Sequence, residues 1–144
     1  MAEINLITQY NKKSPISEAY RAIRTNLQFA GAGKPLKLII FTSATPSEGK
    51  STTVSNLAIV MAQNEKKVLL IDCDMRKPVQ HKYFELPNRG LSNYIATGAK
   101  LDTVIQKGVL PHLDILPSGP VPPNPSELLS SAKMEEILHT VREN

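Results

Sequence analysis

With a single cysteine, Cys73, the chain cannot form an internal disulfide, which agrees with a reducing compartment. Long apolar runs are missing as well. Leu38–Phe41 and Val68–Ile71 each stop after four residues, against the roughly 18 that a membrane-spanning helix needs. The opening stretch Met1–Lys13 has no apolar signal core, so secretion by a cleaved leader is not expected and the expected compartment is the cytoplasm. The histidines at 81, 112 and 139 lack the spacing of metal ligands, and no internal repeat occurs. What is present, 41% hydrophobic and 21% charged residues in 144, fits one globular domain rather than disorder or a fibre. A net charge of +4 would suit polyphosphate, an acidic membrane surface or nucleic acid, and does not choose among them.

Met1–Ser14 shows no period and reads as an extended arm. Ser14 followed by Pro15 is a helix-start signal, and Ile16, Tyr20, Ile23 and Leu27 then recur at helical spacing, predicting an amphipathic helix to about Phe29. Gly31–Pro35 breaks it, and Leu36–Thr42 reads as a short strand buried on both faces. Val54, Leu57, Ala58, Met61 and Ala62 form one stripe of a helix ending near Asn64, followed by a strand at Lys67–Ile71. Two apolar strands joined through one helix imply parallel pairing, hence an α/β fold with a P-loop NTPase-type parallel sheet flanked by helices. Downstream, helices are expected at Leu91–Ala96 and Asp102–Lys107, closed by Gly98 and Gly108, then a strand at Leu113–Leu116. Five prolines in Pro117–Pro125 make that stretch a stiff connector. Asn124, Pro125 and Glu127 start a C-terminal helix with a break near Ser130–Ser131.

The chemistry concentrates at Ala44–Thr52, A-T-P-S-E-G-K-S-T, between the first predicted strand and its helix. A phosphate cradle needs inward backbone N–H groups, a flexible residue before the helix, a lysine for β/γ-phosphates and a hydroxyl for Mg²⁺. Ser47, Glu48 and Gly49 supply the loop, Lys50 the cation, Ser51 the Mg²⁺-facing hydroxyl and Thr52 a second hydroxyl, so ATP and Mg²⁺ are the expected ligands. Ala44 stands where the general pattern G-x-x-x-x-G-K-[ST] has its first glycine. After the second predicted strand, Asp72 and Asp74 bring two carboxylates to a strand end. From the residues alone, Asp72 reads as a metal-holding Walker B aspartate or as a strand-end cap. Arg76 and Lys77 either contact phosphates or decorate a loop, and Cys73 is expected to pack as a small buried side chain.

Four blocks then resemble the bacterial tyrosine kinases of capsule and exopolysaccharide synthesis, relatives of partition-type P-loop ATPases. They are S-P-I-S-E-A-Y-R-A-I-R-T-N-L-Q-F at 14–29, the loop itself, V-L-L-I-D-C-D-M-R-K-P at 68–78, and L-P-S-G-P-V-P-P-N-P-S-E-L-L at 116–129. The resemblance makes Ala44 usual. It implies that Asp72 assists deprotonation of a tyrosine hydroxyl, with Lys50 and Asp74 also catalytic, and that Ser51 and Asp74 serve Mg²⁺. It also implies that Glu18, Arg21 and Arg24 lie at subunit contacts of a homo-oligomer, although their spacing alone reads as an ion pair on a solvated helix flank. The organisation expected is an arm and helix at 1–34 and a partial ATP-binding kinase domain at 35–144.

The same resemblance implies tyrosine-containing protein substrates and recruitment to the inner membrane face by a membrane-bound activator of the polysaccharide co-polymerase type. A complete member would continue to another apolar strand ending in aspartate, the true Walker B, and to a tyrosine-rich tail. Neither occurs in these residues, so the sheet is expected to be incomplete on its C-terminal side and activity weak or absent alone. Two other readings compete. A partition-type ATPase would carry a signature lysine where Thr45 stands, and a regulatory or nucleic-acid-binding module would use the basic surface alone. Nucleic acid is not the expected partner.

Overall fold

The computed structural model describes residues 6–31, 33–42 and 49–143, and the chain divides into two compact units, Met1–Val68 and Leu69–Asn144. In the first unit, α1 (Ile7–Tyr10) replaces part of the expected extended arm, and α2 (Pro15–Ala30) begins as its sequence signals require, with the Ser14 hydroxyl accepting from Ile16 N at 3.1 Å. The predicted stripe on α2 is not buried: Ile16 is 57% exposed and Ile23 40%, while Ser17 is the buried residue. A small polar side chain forms this contact because its hydroxyl reaches the Asn11 carbonyl at 2.6 Å, tying the helix to the turn before it. The central helix α3 (Lys50–Gln63) is covered on nearly every side, Ser55–Val60 and Ala62 being buried. That agrees with its small and aliphatic composition.

The strand expected at Leu36–Thr42 is a correction. Residues 37–42 have no strand pairing among the described residues, and Ile40 is 78% exposed. An apolar β-prone run favours extended backbone, but only a neighbouring strand makes it part of a sheet.

The second unit holds a three-stranded sheet in the order β1-β3-β2, from β1 (Val68–Ile71, whose first residue closes the other unit), β2 (Gln106–Leu110) and β3 (Leu113–Leu116). β1 and β3 form the parallel pair expected of the fold, and the ladder continues beyond β1, where Asp72 N donates to Leu116 O at 3.0 Å. β2 pairs antiparallel with β3, with a bulge between Gln106 and Leu110. This strand overturns the helix expected over Asp102–Lys107, which survives only as α6 (Leu101–Val104). Gly108 does not close a helix. Its φ of 63° places it in the left-handed region at the bulge, and its N–H donates to Asp114 Oδ1 at 2.8 Å.

Helices α4 (Gln80–Tyr83), α5 (Leu91–Thr97), α7 (Pro125–Leu129) and α8 (Ala132–Glu143) complete the unit, with the predicted break at Ser130–Ser131. Its core is Met75, Leu91, Val104, Leu116, Met134 and Ile137, and Lys133 Nζ lies 5.2 Å from the centre of the Tyr94 ring. No helix among the described residues is long and apolar enough to cross a membrane.

Candidate functional site

Gly49 adopts φ 76°, ψ 14° as the residue before α3, a left-handed conformation that costs a residue with a Cβ about 1–2 kcal/mol. A Cβ built there would meet nothing within 4 Å among the described residues. Lys50, Ser51 and Thr52 form the first turn and are half-buried. The N-terminus of a 14-residue helix carries a partial positive charge suited to phosphate. Ser47 and Glu48, with Ala44 and Thr45, lie outside the described residues.

Side chains one turn further along hold this first turn. Asn56, fully buried, donates from Nδ2 to Thr52 O at 2.9 Å, and Ser55 Oγ donates to Ser51 O at 2.6 Å. Asn56 Oδ1 accepts from both the Thr8 backbone N at 3.1 Å and the Thr8 hydroxyl at 2.8 Å, and Gln63 Nε2 donates to Thr8 O at 3.2 Å. Helix α1 is thereby pinned along α3, and Thr8, itself fully buried, closes the network. Thr8→Val should cost about 1 kcal/mol, measured by denaturant unfolding, while Thr8→Ser should restore most of it. Sequence reading missed this brace, since polar residues 48 positions apart carry no local signal.

Arg24 is engaged inside its own unit: Nη1 donates to Val60 O at 2.6 Å. That carbonyl belongs to the last turn of α3, where a cation is favourable. Glu18 and Arg21 form an exposed i,i+3 pair at 2.7 Å, of the kind worth about 0.2–0.5 kcal/mol.

In the second unit, Asp72 is 5% exposed at the end of β1. Its Oδ1 accepts from Asp74 N at 3.0 Å, and its Oδ2 accepts from Val79 N and Gln80 N, both at 3.1 Å. One carboxylate thus folds residues 72–80 back on themselves and caps α4. Asp74, half-buried, accepts from Lys77 N at 3.1 Å through Oδ1. Cys73, expected buried, is exposed, lying between Asp72 and Asp74 in the turn that the Asp72 carboxylate closes. No cluster of three or more potential metal ligands occurs among the described residues.

The same loop walls an open cleft of about 490 Å³ lined by Arg76, Lys77, Pro78, Val79, His81, Lys82, Asn88 and Val121. Burial pushes the His81 imidazole below its usual pKa, the Lys82 cation adds to this, and Asp72 opposes it. At neutral pH the cleft's charge therefore comes from Arg76, Lys77 and Lys82. Asn88 holds the opposite wall by reciprocal bonds with Gly119, Nδ2 to O at 3.0 Å and N to Oδ1 at 2.9 Å. Of this group the sequence suggested a ligand role only for Arg76 and Lys77, because Asn88 and Val121 reach it through tertiary folding.

Comparison with known proteins agrees with this geometry. Residues 39–144 match the CobQ/CobB/MinD/ParA nucleotide binding domain. The chain is 49% identical over 136 residues to the tyrosine-protein kinase YwqD of Bacillus subtilis, covering 94% of this chain and 57% of that protein. The chimerical protein CapA2B2 superposes with a TM-score of 0.90 at 43% identity, over 96% of this chain and 62% of that one. The kinase domain of the Escherichia coli tyrosine kinase ETK gives 0.89 at 38%, over 96% and 55%. The chain thus spans little more than half the length of the relatives it matches.

Proposed function

The chain belongs to the CobQ/CobB/MinD/ParA nucleotide-binding family, among its bacterial tyrosine kinases, and from this we propose that it is the nucleotide-binding portion of an ATP-dependent protein-tyrosine kinase serving capsular or exopolysaccharide synthesis. The observation that carries the reading is the left-handed Gly49 opening the long, buried α3 with Lys50, Ser51 and Thr52 in its first turn. ATP bound there supplies the transferable phosphoryl group.

Lys50 neutralises charge on the β/γ-phosphates, the Ser51 hydroxyl and Asp74 carboxylate provide the oxygens that suit Mg²⁺, and Ser47 and Glu48 belong to the same phosphate loop. Asp72 is the proposed acceptor for the tyrosine hydroxyl proton. Its two oxygens have about four acceptor sites, of which backbone N–H groups take three, and those bonds fix its orientation. Phosphoryl transfer depends mainly on positioning and charge, which is what these residues would contribute to the step.

Glu18, Arg21 and Arg24 are proposed to serve a homo-oligomer contact, with Arg24 also bracing α3 from within. A cytoplasmic location and recruitment by a membrane-bound activator of the polysaccharide co-polymerase type complete the proposal, which the capsule and exopolysaccharide names CapB and EpsB of two relatives support. The test is phosphotyrosine formation on a Glu/Tyr copolymer with Mg-ATP, read by mass spectrometry. Slow transfer that disappears in Lys50→Ala is expected. A folded chain whose tyrosine phosphorylation is unchanged in Lys50→Ala, or that binds no Mg-ATP, would contradict the kinase reading.

A further inference from the structure

We infer that the cleft beside the Asp72–Gln80 loop is a docking groove for acidic peptide segments, which selects tyrosines with Asp or Glu neighbours. The inference rests on the kinase reading for its link to the acceptor tyrosine.

Charge is the first ground. Arg76, Lys77 and Lys82 line the cleft, and among the described residues no carboxylate lines it. The two acids of the loop that walls it are turned to internal work: Asp72 is buried under three backbone N–H groups, and Asp74 holds Lys77 N. The three exposed cations outnumber these two carboxylates, so the rim presents net positive charge to an incoming chain.

The cleft also has an apolar shelf. Pro78, Val79 and the 60% exposed Val121 stand among the cations, which suits a segment alternating apolar or aromatic with acidic side chains. Nucleic acid fits less well, because among the described residues no aromatic lines the cleft to stack a base.

Rigidity is the third ground. One wall is fixed by Asp72 through Val79 N and Gln80 N, and the other by the Asn88–Gly119 bonds and by Ser92 Oγ donating to Pro120 O at 2.8 Å. A preformed groove loses little conformational entropy when an extended peptide enters. Exposed charges of this kind act on partner choice and on-rate more than on raw affinity, and they are screened by salt.

The test is fluorescence anisotropy on the full chain, without nucleotide, using labelled peptides with Phe at the acceptor position and Glu, Gln or Lys flanks. The Glu-flanked peptide should bind at least about tenfold more tightly than the Gln-flanked one in low salt, and this preference should collapse near 1 M salt. Lys77→Glu with Lys82→Glu should erase or invert the preference, whereas Lys12→Glu with Lys13→Glu, remote in sequence and exposed, should leave it. Equal binding of all peptides, equal loss in both double variants, or equally tight binding of a single-stranded oligonucleotide would overturn the inference. The kinase reading fails separately. Acidic peptides that bind to a folded chain that takes up no Mg-ATP sink that reading and leave the groove, whereas phosphorylation indifferent to flanking charge sinks the groove and leaves the kinase.

Discussion

Lys50→Ala is expected to abolish detectable Mg-ATP binding, a loss of at least about a hundredfold in Kd, while leaving the fold intact. The magnitude follows from charge-assisted contacts to two phosphates at about 1.5–3 kcal/mol each, where every 1.4 kcal/mol is tenfold. The fold should survive because Lys50 opens α3 and is only half-buried, and alanine is the better helix former. Titration calorimetry against circular dichroism separates the two outcomes. A module that binds polyanions through diffuse basic charge would behave otherwise, with binding that survives Lys50→Ala and falls steeply with salt.

Asp72 should have the second large effect, on stability and on transfer. Asp72→Ala removes the acceptor of three backbone N–H groups, one of which, from Gln80, is buried. Unsatisfied donors of this kind cost about 1–3 kcal/mol when buried and less where water reaches them, so a total near 3 kcal/mol and a fall in Tm on the order of 10 °C are expected. Asp72→Asn keeps one acceptor oxygen and points an amide donor at other N–H groups, for a smaller cost of about 1–2 kcal/mol. The pair divides the structural role from the chemical one. If Asp72 accepts the tyrosine proton, the Asn variant still binds Mg-ATP but loses transfer about a hundredfold or more. If it only holds the loop, transfer falls no further than stability does.

Much of this could be read from the sequence because its signals are local. Ser14-Pro15 marked the start of α2, Asn124-Pro125 that of α7, and the V-L-L-I run gave β1. Gly49-Lys50-Ser51 was legible for the same reason, since a phosphate cradle is built from consecutive residues. What stayed hidden depends on distant partners. Residues 37–42 have a strand's composition but no ladder among the described residues, and Gly108 closes no helix because a bulge opposite Asp114 claims it. The Asn56–Thr8 brace, the Arg24 bond to Val60 O and the wall that Asn88 makes with Gly119 join residues 31 to 48 positions apart. No periodicity reports such pairs. Asp72 was legible as a carboxylate at a strand end, but its three backbone bonds came into view only with the turn that it closes.

The most direct measurement is a calorimetric titration of Mg-ATP into the folded chain. The account predicts saturable binding of one nucleotide per chain, weakened by removing Mg²⁺ and lost in Lys50→Ala. A chain that keeps its native circular dichroism yet takes up no nucleotide at millimolar Mg-ATP would contradict it.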